Sequence, residues 1–532
     1  MTNRKYPIGI QTFSEIIRGG FVYVDKTDLV LQLIGYAKFV FLSRPRRFGK
    51  SLLSSTLHSY FNGQKALFEG LKIMRWEQKW EAYPVLHFDL STAKGQQSAE
   101  GLRLRLLLML KSYTELYGRD EDEITPGGLL EGIIRRANRQ TGKQVVVIVD
   151  EYDAPLLDVL HKDDVLEEMR AVMQEFYQPL KACESLVRFC FITGVTKFSQ
   201  LSIFSTINNI KNVSLLPRFS AICGFTEQEV RSCFDDDMKR MAEQLGCSPE
   251  DMFLKIKERY DGYHFSESSE DLYNPYSLLN AFADGKLDNY WFATGTPTFL
   301  VRQLQHYQTD ITAMEQIDVP SSAFDQPTEN MQDALPLLYQ SGYLTIKSYD
   351  KESQVYSLSI PNQEVRVGYT EGLLREYVGL RSPDVQTGFA LKFWRALKQN
   401  DIHLALTELQ AYFAGLPYIE GFKKKLADVS KAEGFYEWTF YLVFSMLNVY
   451  VRTQVKTIQG RIDVVVYMPD AIYVMELKIN GTAQEALDQI NRKGYAIPYA
   501  ADGRMVIKVG IRFSTEKLNV EDWVVQDSAD NN

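Results

Sequence analysis

A chain of 532 residues is long enough for about two to four domains of roughly 100–200 residues each. An apolar content of 45% and a charged content of 24% are ordinary for soluble globular protein. The net charge of −9 excludes a general electrostatic pull toward nucleic acid or an anionic membrane, so any such binding must come from local patches. In chain order, the opening MTNRKYPIGIQTF has no apolar h-region, which argues against a secretory signal. FVYVDKTDLVLQLI reads as an extended piece running into a helix, and KFVFLS (38–43) as a buried strand by its continuous apolar run. KSLLSSTLHSYF then has the helical spacing of Leu52, Leu53, Leu57 and Tyr60. PVLHFDLS (84–91) is a second strand, 99–117 a Leu-rich helix, KQVVVIVDEYDAP (143–155) a third buried strand, 163–182 a helix and LVRFCFITGV (186–195) a fourth strand. Strands alternating with helices predict a parallel α/β sheet covered on both faces.

After about 225 the pattern turns helical through TEQEVRSCFDDDMKRMAEQLG, IKERYDGYHF and NPYSLLNAF, as a lid would. NMQDALPLLYQSGYLTI followed by VYSLSIPNQEVR reads as a helix feeding a small β-hairpin, a winged-helix-like pattern. SPDVQTG (382–388) is polar and carries Pro and Gly, as linkers do. The remainder reads helix, strand, strand, strand, helix, strand. Its longest apolar stretch, FYLVFSMLNVYV at 440–451, falls short of the ~20 residues that span a bilayer. The five cysteines (183, 190, 223, 233, 247) are scattered, odd in number and without a CxxC pair. That pattern implies a reduced, cytoplasmic protein with no structural zinc, and the short apolar stretch with the negative net charge implies no membrane partner. The expected domains are a parallel α/β core over 1–225, a helical lid over 226–285, a helical or winged-helix-like region over 286–381, and a last domain over 382–532.

Two stretches carry chemistry. RPRRFGKS (44–51) lies between a buried strand and an amphipathic helix and ends in Gly49, Lys50 and Ser51, the closing positions of a phosphate-binding loop. Arg44 stands where the opening glycine of that loop is expected. Backbone N–H groups at a helix N-terminus cradle a β-phosphate. Lys50 would neutralise phosphate oxygens, and the Ser51 hydroxyl would hold Mg²⁺. A strand-to-helix turn that needs Gly49 for positive φ is the plainer alternative. VVVIVDEYD supplies the acidic strand end: Asp150 to orient the Mg²⁺ shell and Glu151 to polarise the attacking water. Asp150 could equally cap a following helix. Arg46 and Arg47 could touch phosphate or DNA, or simply be solvated.

The second stretch is GRIDVVVYMPDAIYVMELKIN (460–480). Its hairpin pattern carries Asp463, then Glu476 and Lys478 two apart on one face. Two carboxylates that hold a metal and a lysine that stabilises charge on phosphate suit a Mg²⁺-dependent phosphodiester hydrolase. An amphipathic hairpin with a surface ion pair has the same spacing.

YVDKT (23–27), RPRRFGKSLL (44–53), VDEYDAP (149–155), ITGVTKFS (192–199), YDGYHF (260–265) and NPYS (274–277) together resemble the AAA-ATPase-like family of bacterial P-loop proteins. The usual loop of that family is itself R-P-R-R-F-G-K-S, so the resemblance implies a nucleotide site without the opening glycine. It implies ATP and Mg²⁺ as cofactors, with Gly49, Lys50 and Ser51 in the loop and Asp150 and Glu151 at the acidic strand end. It places Thr193 where related ATPases keep a polar γ-phosphate sensor, a position where a plain strand-end threonine would also serve. The αβββαβ order with D-x12-E-x-K resembles the PD-(D/E)XK nuclease superfamily over about 385–523. That resemblance implies a restriction-endonuclease-like fold with catalytic Asp463, Glu476 and Lys478. Glu437 and Gln489 would support them. The implied partner is nucleic acid, DNA ahead of RNA, and a homo-oligomer is compatible. Two functions follow: an ATP-regulated nuclease, or a nucleotide switch whose nuclease-like domain binds nucleic acid without cutting it.

Overall fold

The computed structural model describes residues 4–160, 162–197, 209–291, 317–325, 333–369, 389, 392–393, 395–414, 450–457, 460–468, 470–479, 481–500, 502–514, 517 and 519–527. The described residues fall into two compact units, one made by those up to 291 together with 317–362, the other by those from 363 onward. Among the described residues no helix is long and apolar enough to cross a membrane.

The first unit is built on a parallel sheet. Strands β1 (Phe39–Ser43), β2 (Val85–Asp89), β3 (Val145–Asp150), β4 (Val187–Gly194) and the short β5 (Lys211–Asn212) lie in the order β2-β3-β4-β1-β5. Every pairing is parallel. β3 is buried at all six positions, as an apolar run covered on both faces must be. Helices α1 (Phe13–Arg18), α2 (Thr27–Tyr36), α3 (Lys50–Phe61), α4 (Ala99–Tyr117), α5 (Pro126–Thr141), α6 (Ala154–Leu157) and α7 (Asp163–Ala182) accompany it. Leu102, Leu106 and Leu110 of α4, Ile133 of α5 and Met173 of α7 share one buried cluster with Val147 and Val149 of β3.

The next part of this unit is helical. α8 (Glu227–Leu245) opens with a capping box between Thr226 and Glu229. It is followed by α9 (Pro249–Tyr260) and α10 (Pro275–Asp284), with a two-stranded pairing of β6 (Phe225–Thr226) and β7 (Leu272–Tyr273). Val230, Phe234, Phe253, Ile256 and Phe282 form the core of this lid. The expected helix-then-hairpin segment follows. β8 (Ile317–Val319), α11 (Ser321–Phe324), α12 (Leu335–Ser341), β9 (Thr345–Asp350) and β10 (Val355–Ser359) form a small antiparallel sheet, ordered β8-β10-β9, with two short helices. The expected linker at 382–388 lies outside the described residues.

The second unit contains α13 (Ile402–Ala414) and a mixed sheet of β11 (Tyr450–Thr457), β12 (Gly460–Tyr467), β13 (Ala471–Lys478), β14 (Met505–Ser514) and β15 (Asn519–Asp527), in chain order. β13 and β14 are parallel, which requires a crossover, and α14 (Ala483–Lys493) supplies it. The remaining pairings are antiparallel. The described residues hold the βββαβ part of the predicted αβββαβ order, with β15 added at the sheet edge; the leading helix expected around Glu437 lies outside them.

Candidate functional site

The phosphate-loop residues sit where β1 passes into α3. Gly49 caps the helix at φ 95°, a left-handed conformation that only glycine adopts freely, and a side chain there would meet no atom within 4 Å. Lys50, only 3% exposed, folds its ammonium back onto the loop. Nζ donates to the carbonyls of Arg44 at 3.1 Å and Pro45 at 3.2 Å, and lies 3.5 Å from Glu151 Oε1. Asp150 ends β3 and is buried. Burial pushes its carboxyl up to about 6, partly countered by a hydrogen bond from Ser51, while the Glu151 charge adds to the rise and Lys50 opposes it. Ser51, in the first turn of α3, thus acts on Asp150 at the end of β3. Glu151 has φ 51°, a strained conformation for a non-glycine residue and one that aims its side chain at Lys50.

A cleft of about 440 Å³ lies over these groups. Arg46, Arg47, Gly49, Lys50, Ser51 and Glu151 line it, as do Asp89 at the end of β2 and Ser91 and Lys94 after it, the N-terminal residues Pro7–Gln11, and Tyr276, Leu279 and Asn280 of α10. Arg47, at φ 68°, holds its guanidinium 4.7 Å from the centre of the Tyr276 ring. The Arg46 carbonyl accepts a hydrogen bond from Trp291 Nε1 at 3.2 Å. Thr193 is placed differently from a residue that reaches into the cleft. It is fully buried, and its hydroxyl donates to the Leu42 carbonyl of β1 at 2.6 Å.

Two residues of this region have roles that the sequence reading did not assign. Arg44 is 2% exposed, and its guanidinium donates to the carbonyls of Ser43, Ser214, Phe219 and Ser220. It also stacks 4.3 Å from the Phe265 ring, and burial lowers its pKa to about 10. Asp153 is fully buried; it accepts from the Thr196 backbone N–H and hydroxyl, each at 2.6 Å, and from the Val195 N–H. It thereby ties the turn after β3 to the segment after β4. The last acid of DEYD was its only sequence signal.

In the second unit, Val464 pairs with Met475, so one further step along the ladder sets Asp463 opposite Glu476. The Leu477 N–H donates to Asp463 Oδ2 at 2.8 Å. Glu476 is 2% exposed, and its Oε2 has no hydrogen-bond partner among the described residues. Burial, then the Asp463 charge, pushes its carboxyl up to about 8, against the lowering influence of Lys478. Gln489 of α14 donates to Glu476 Oε1 and accepts from Lys478 Nζ at 2.7 Å; Lys478 is also 3.7 Å from Glu476. Gly510, the β14 partner of Glu476, makes this reach possible. A side chain at 510 would stand 2.1 Å from the Ala483 carbonyl oxygen, so glycine lets α14 lie close against the sheet. Glu437 lies outside the described residues, and no group of three or more His, Cys, Asp or Glu side chains able to hold a metal occurs among the described ones. The described metal-binding candidates are therefore a carboxylate pair.

A phosphate-loop sheet followed by a mixed sheet carrying D…ExK defines the class: a P-loop ATPase-type protein with a nuclease-type domain. Residues 7–204 match the family model for predicted AAA-ATPases, and residues 431–523 match that for the PD-(D/E)XK nuclease superfamily. The chain is 35% identical, over 99% of both chains, to an uncharacterized protein encoded in the vnfD 5′ region of Azotobacter chroococcum mcd 1. It belongs to the predicted AAA-ATPase family, in the form that carries a C-terminal PD-(D/E)XK domain.

Proposed function

We propose that the first unit binds and hydrolyses ATP and that the second is a metal-dependent nuclease domain acting on nucleic acid, DNA in preference to RNA. The observation that carries the catalytic half of this reading is Glu476 Oε2, a buried carboxylate oxygen without a partner among the described residues, beside Asp463 and within reach of Lys478. A hard divalent cation prefers such oxygens, so Asp463 and Glu476 fit Mg²⁺. A bound cation would supply Lewis-acid polarisation of a phosphodiester. Lys478 adds positive charge where charge develops on phosphate, and Gln489 fixes both side chains.

In the first unit, Gly49 leaves open backbone at the start of α3, where N–H groups and the helix dipole favour phosphate. Lys50 exchanges its loop carbonyls for phosphate oxygens. The Ser51–Asp150 pair is the site for Mg²⁺, and Glu151 orients and deprotonates water once Lys50 is drawn to phosphate. A second reading, a nucleotide switch that holds nucleic acid without cutting it, draws support from the carboxylate pair alone and from the clamp of Gln489 on Glu476.

Plasmid nicking by the purified full chain, across Mg²⁺, Mn²⁺ and Ca²⁺ with and without ATP, tests the proposal. Nicking that is lost in Glu476→Ala supports the nuclease reading. Salt-sensitive DNA binding without nicking in any metal supports the switch.

A further inference from the structure

The lining of the cleft divides by chemistry. Arg46, Arg47, Lys50 and Ser51 suit phosphates, whereas Ile8, Ile10, Val22, Val24 and Leu279 form an apolar surface suited to the flat face of a nucleobase. Part of that surface belongs to the N-terminal strap, residues 4–11, and the strap is fastened to the lid. Asp237 of α8 is fully buried. Arg4 Nη1 donates to its Oδ2 at 2.5 Å, and the Tyr6 hydroxyl donates to its Oδ1 at 2.5 Å. Arg240 Nη2 lies 2.9 Å from Oδ1 and donates to the Tyr6 oxygen at 2.7 Å. Arg4 also donates to the Cys233 carbonyl, beside Phe234, where α8 departs from helical geometry at φ −125°. Further along, the Val22 N–H donates to the Lys5 carbonyl at 2.9 Å.

A carboxylate withdrawn from water persists only where it is paired, and both oxygens of Asp237 are engaged, one of them by the strap alone. No step assigned to Lys50, Ser51, Asp150 or Glu151 uses this cluster. We propose that Asp237 is a positioning residue for the base of the bound nucleotide, holding the strap so that Ile8 and Ile10 complete the apolar wall. The inference rests on the nucleotide reading of the cleft. It concerns the base and not the phosphates, because Gly49, Lys50 and Ser51 are set by β1 and α3.

The test compares binding of ATP and of inorganic tripolyphosphate to the full chain by calorimetry, together with steady-state ATP hydrolysis. Asp237→Ala should weaken ATP by about tenfold, a change of about 1.4 kcal/mol, and leave tripolyphosphate within about twofold. KM for ATP should rise with kcat largely retained, and Asp237→Asn, which keeps one acceptor oxygen for Tyr6, should recover part of the loss. Should Asp237→Ala fail to fold, Arg4→Ala combined with Tyr6→Phe releases the strap and leaves α8 intact. Unchanged ATP affinity in a folded variant overturns the inference, and so does an equal loss for tripolyphosphate. A wild type that binds neither ligand is a distinct result that overturns the nucleotide reading itself.

Discussion

Glu476→Gln isolates the electrostatic cost of the second site. Glu476 is 2% exposed and its carboxyl titrates at about 8 rather than at the ordinary 4.5, chiefly because burial penalises the charged form and secondly because Asp463 is negative. Between those two values the folded chain holds a proton that the unfolded chain has released. Stability therefore falls as pH rises through that window, at about 1.4 kcal/mol per unit. From pH 6 to 8 the loss is on the order of 2–3 kcal/mol, or roughly 5–10 °C in the melting temperature of a domain this size. Glutamine keeps the shape and a hydrogen-bonding oxygen but has no charge to penalise. The variant should match the wild type at pH 5 and exceed it at pH 8. Thermal unfolding of the full chain at pH 5, 6, 7 and 8 reads this directly, in the transition that the substitution moves. Mg²⁺ or Mn²⁺ should raise that transition more at pH 8 than at pH 6 in the wild type, because a cation stabilises the ionised carboxylate, and should do so little in the variant. Parallel pH profiles for wild type and Glu476→Gln would refute the reasoning. So would a metal response that the variant retains in full.

Lys50→Ala should weaken ATP binding by about 1.5–3 kcal/mol, the worth of a charged hydrogen bond, measured by calorimetry. Unchanged affinity removes Lys50 from the site. Glu151→Gln should keep ATP but slow hydrolysis by about 10²-fold or more, the contribution of a positioned general base; turnover at the wild-type rate would exclude that role. Asp463→Ala should abolish cleavage together with metal binding, whereas Lys478→Ala should retain metal and lose cleavage, since lysine contributes charge and no ligand oxygen. Metal titration and plasmid nicking on the same preparations separate these two outcomes. Arg44→Gly, which puts a glycine at the loop's opening position, should destabilise the first unit by about 3 kcal/mol or more, because the Ser214, Phe219 and Ser220 carbonyls lose a buried donor and a cavity opens. A melting temperature equal to the wild type would show that the guanidinium is dispensable.

The parts of the fold that were legible in sequence are those set by neighbours along the chain. The apolar runs of β1, β3 and β4 appear where continuous burial demanded them, and the expected helices at 99–117 and 163–182 match Ala99–Tyr117 and Asp163–Ala182. The Asp463–Glu476 juxtaposition was readable because a hairpin fixes register by residue number. α5 went unread: Gly127, Gly128 and Gly132 dilute its periodicity, and the helix relies on Thr125 capping the Gly128 N–H with Pro126 in the first turn. β5 is two residues long, too short for any pattern. The roles of Arg44, Asp153 and Asp237 were illegible for another reason. Their partners lie far away in sequence, 170 residues away for Arg44 with Ser214 and 233 for Asp237 with Arg4. Nothing local marks such pairings.

The loop's missing glycine has a physical counterpart in the lid. A glycine-opened loop owes its shape to backbone freedom, whereas this one is held by a side chain. Arg44 turns inward and binds carbonyls at both edges of the 214–220 segment, under the Phe265 ring. Phe48 packs edge-on against Tyr263 at 4.7 Å and Phe265 at 5.3 Å. RPRRFGKS and YDGYHF, some 210 residues apart in sequence, are therefore one packing unit, and its positive-φ positions fall at Arg47, Gly49 and Gly262. A loop fastened this way cannot change shape without disturbing Phe265 and the lid that carries it. If phosphate binds at Lys50 as proposed, a shift of this loop would reach the lid through the contacts of Arg44 and Phe48 with Phe265.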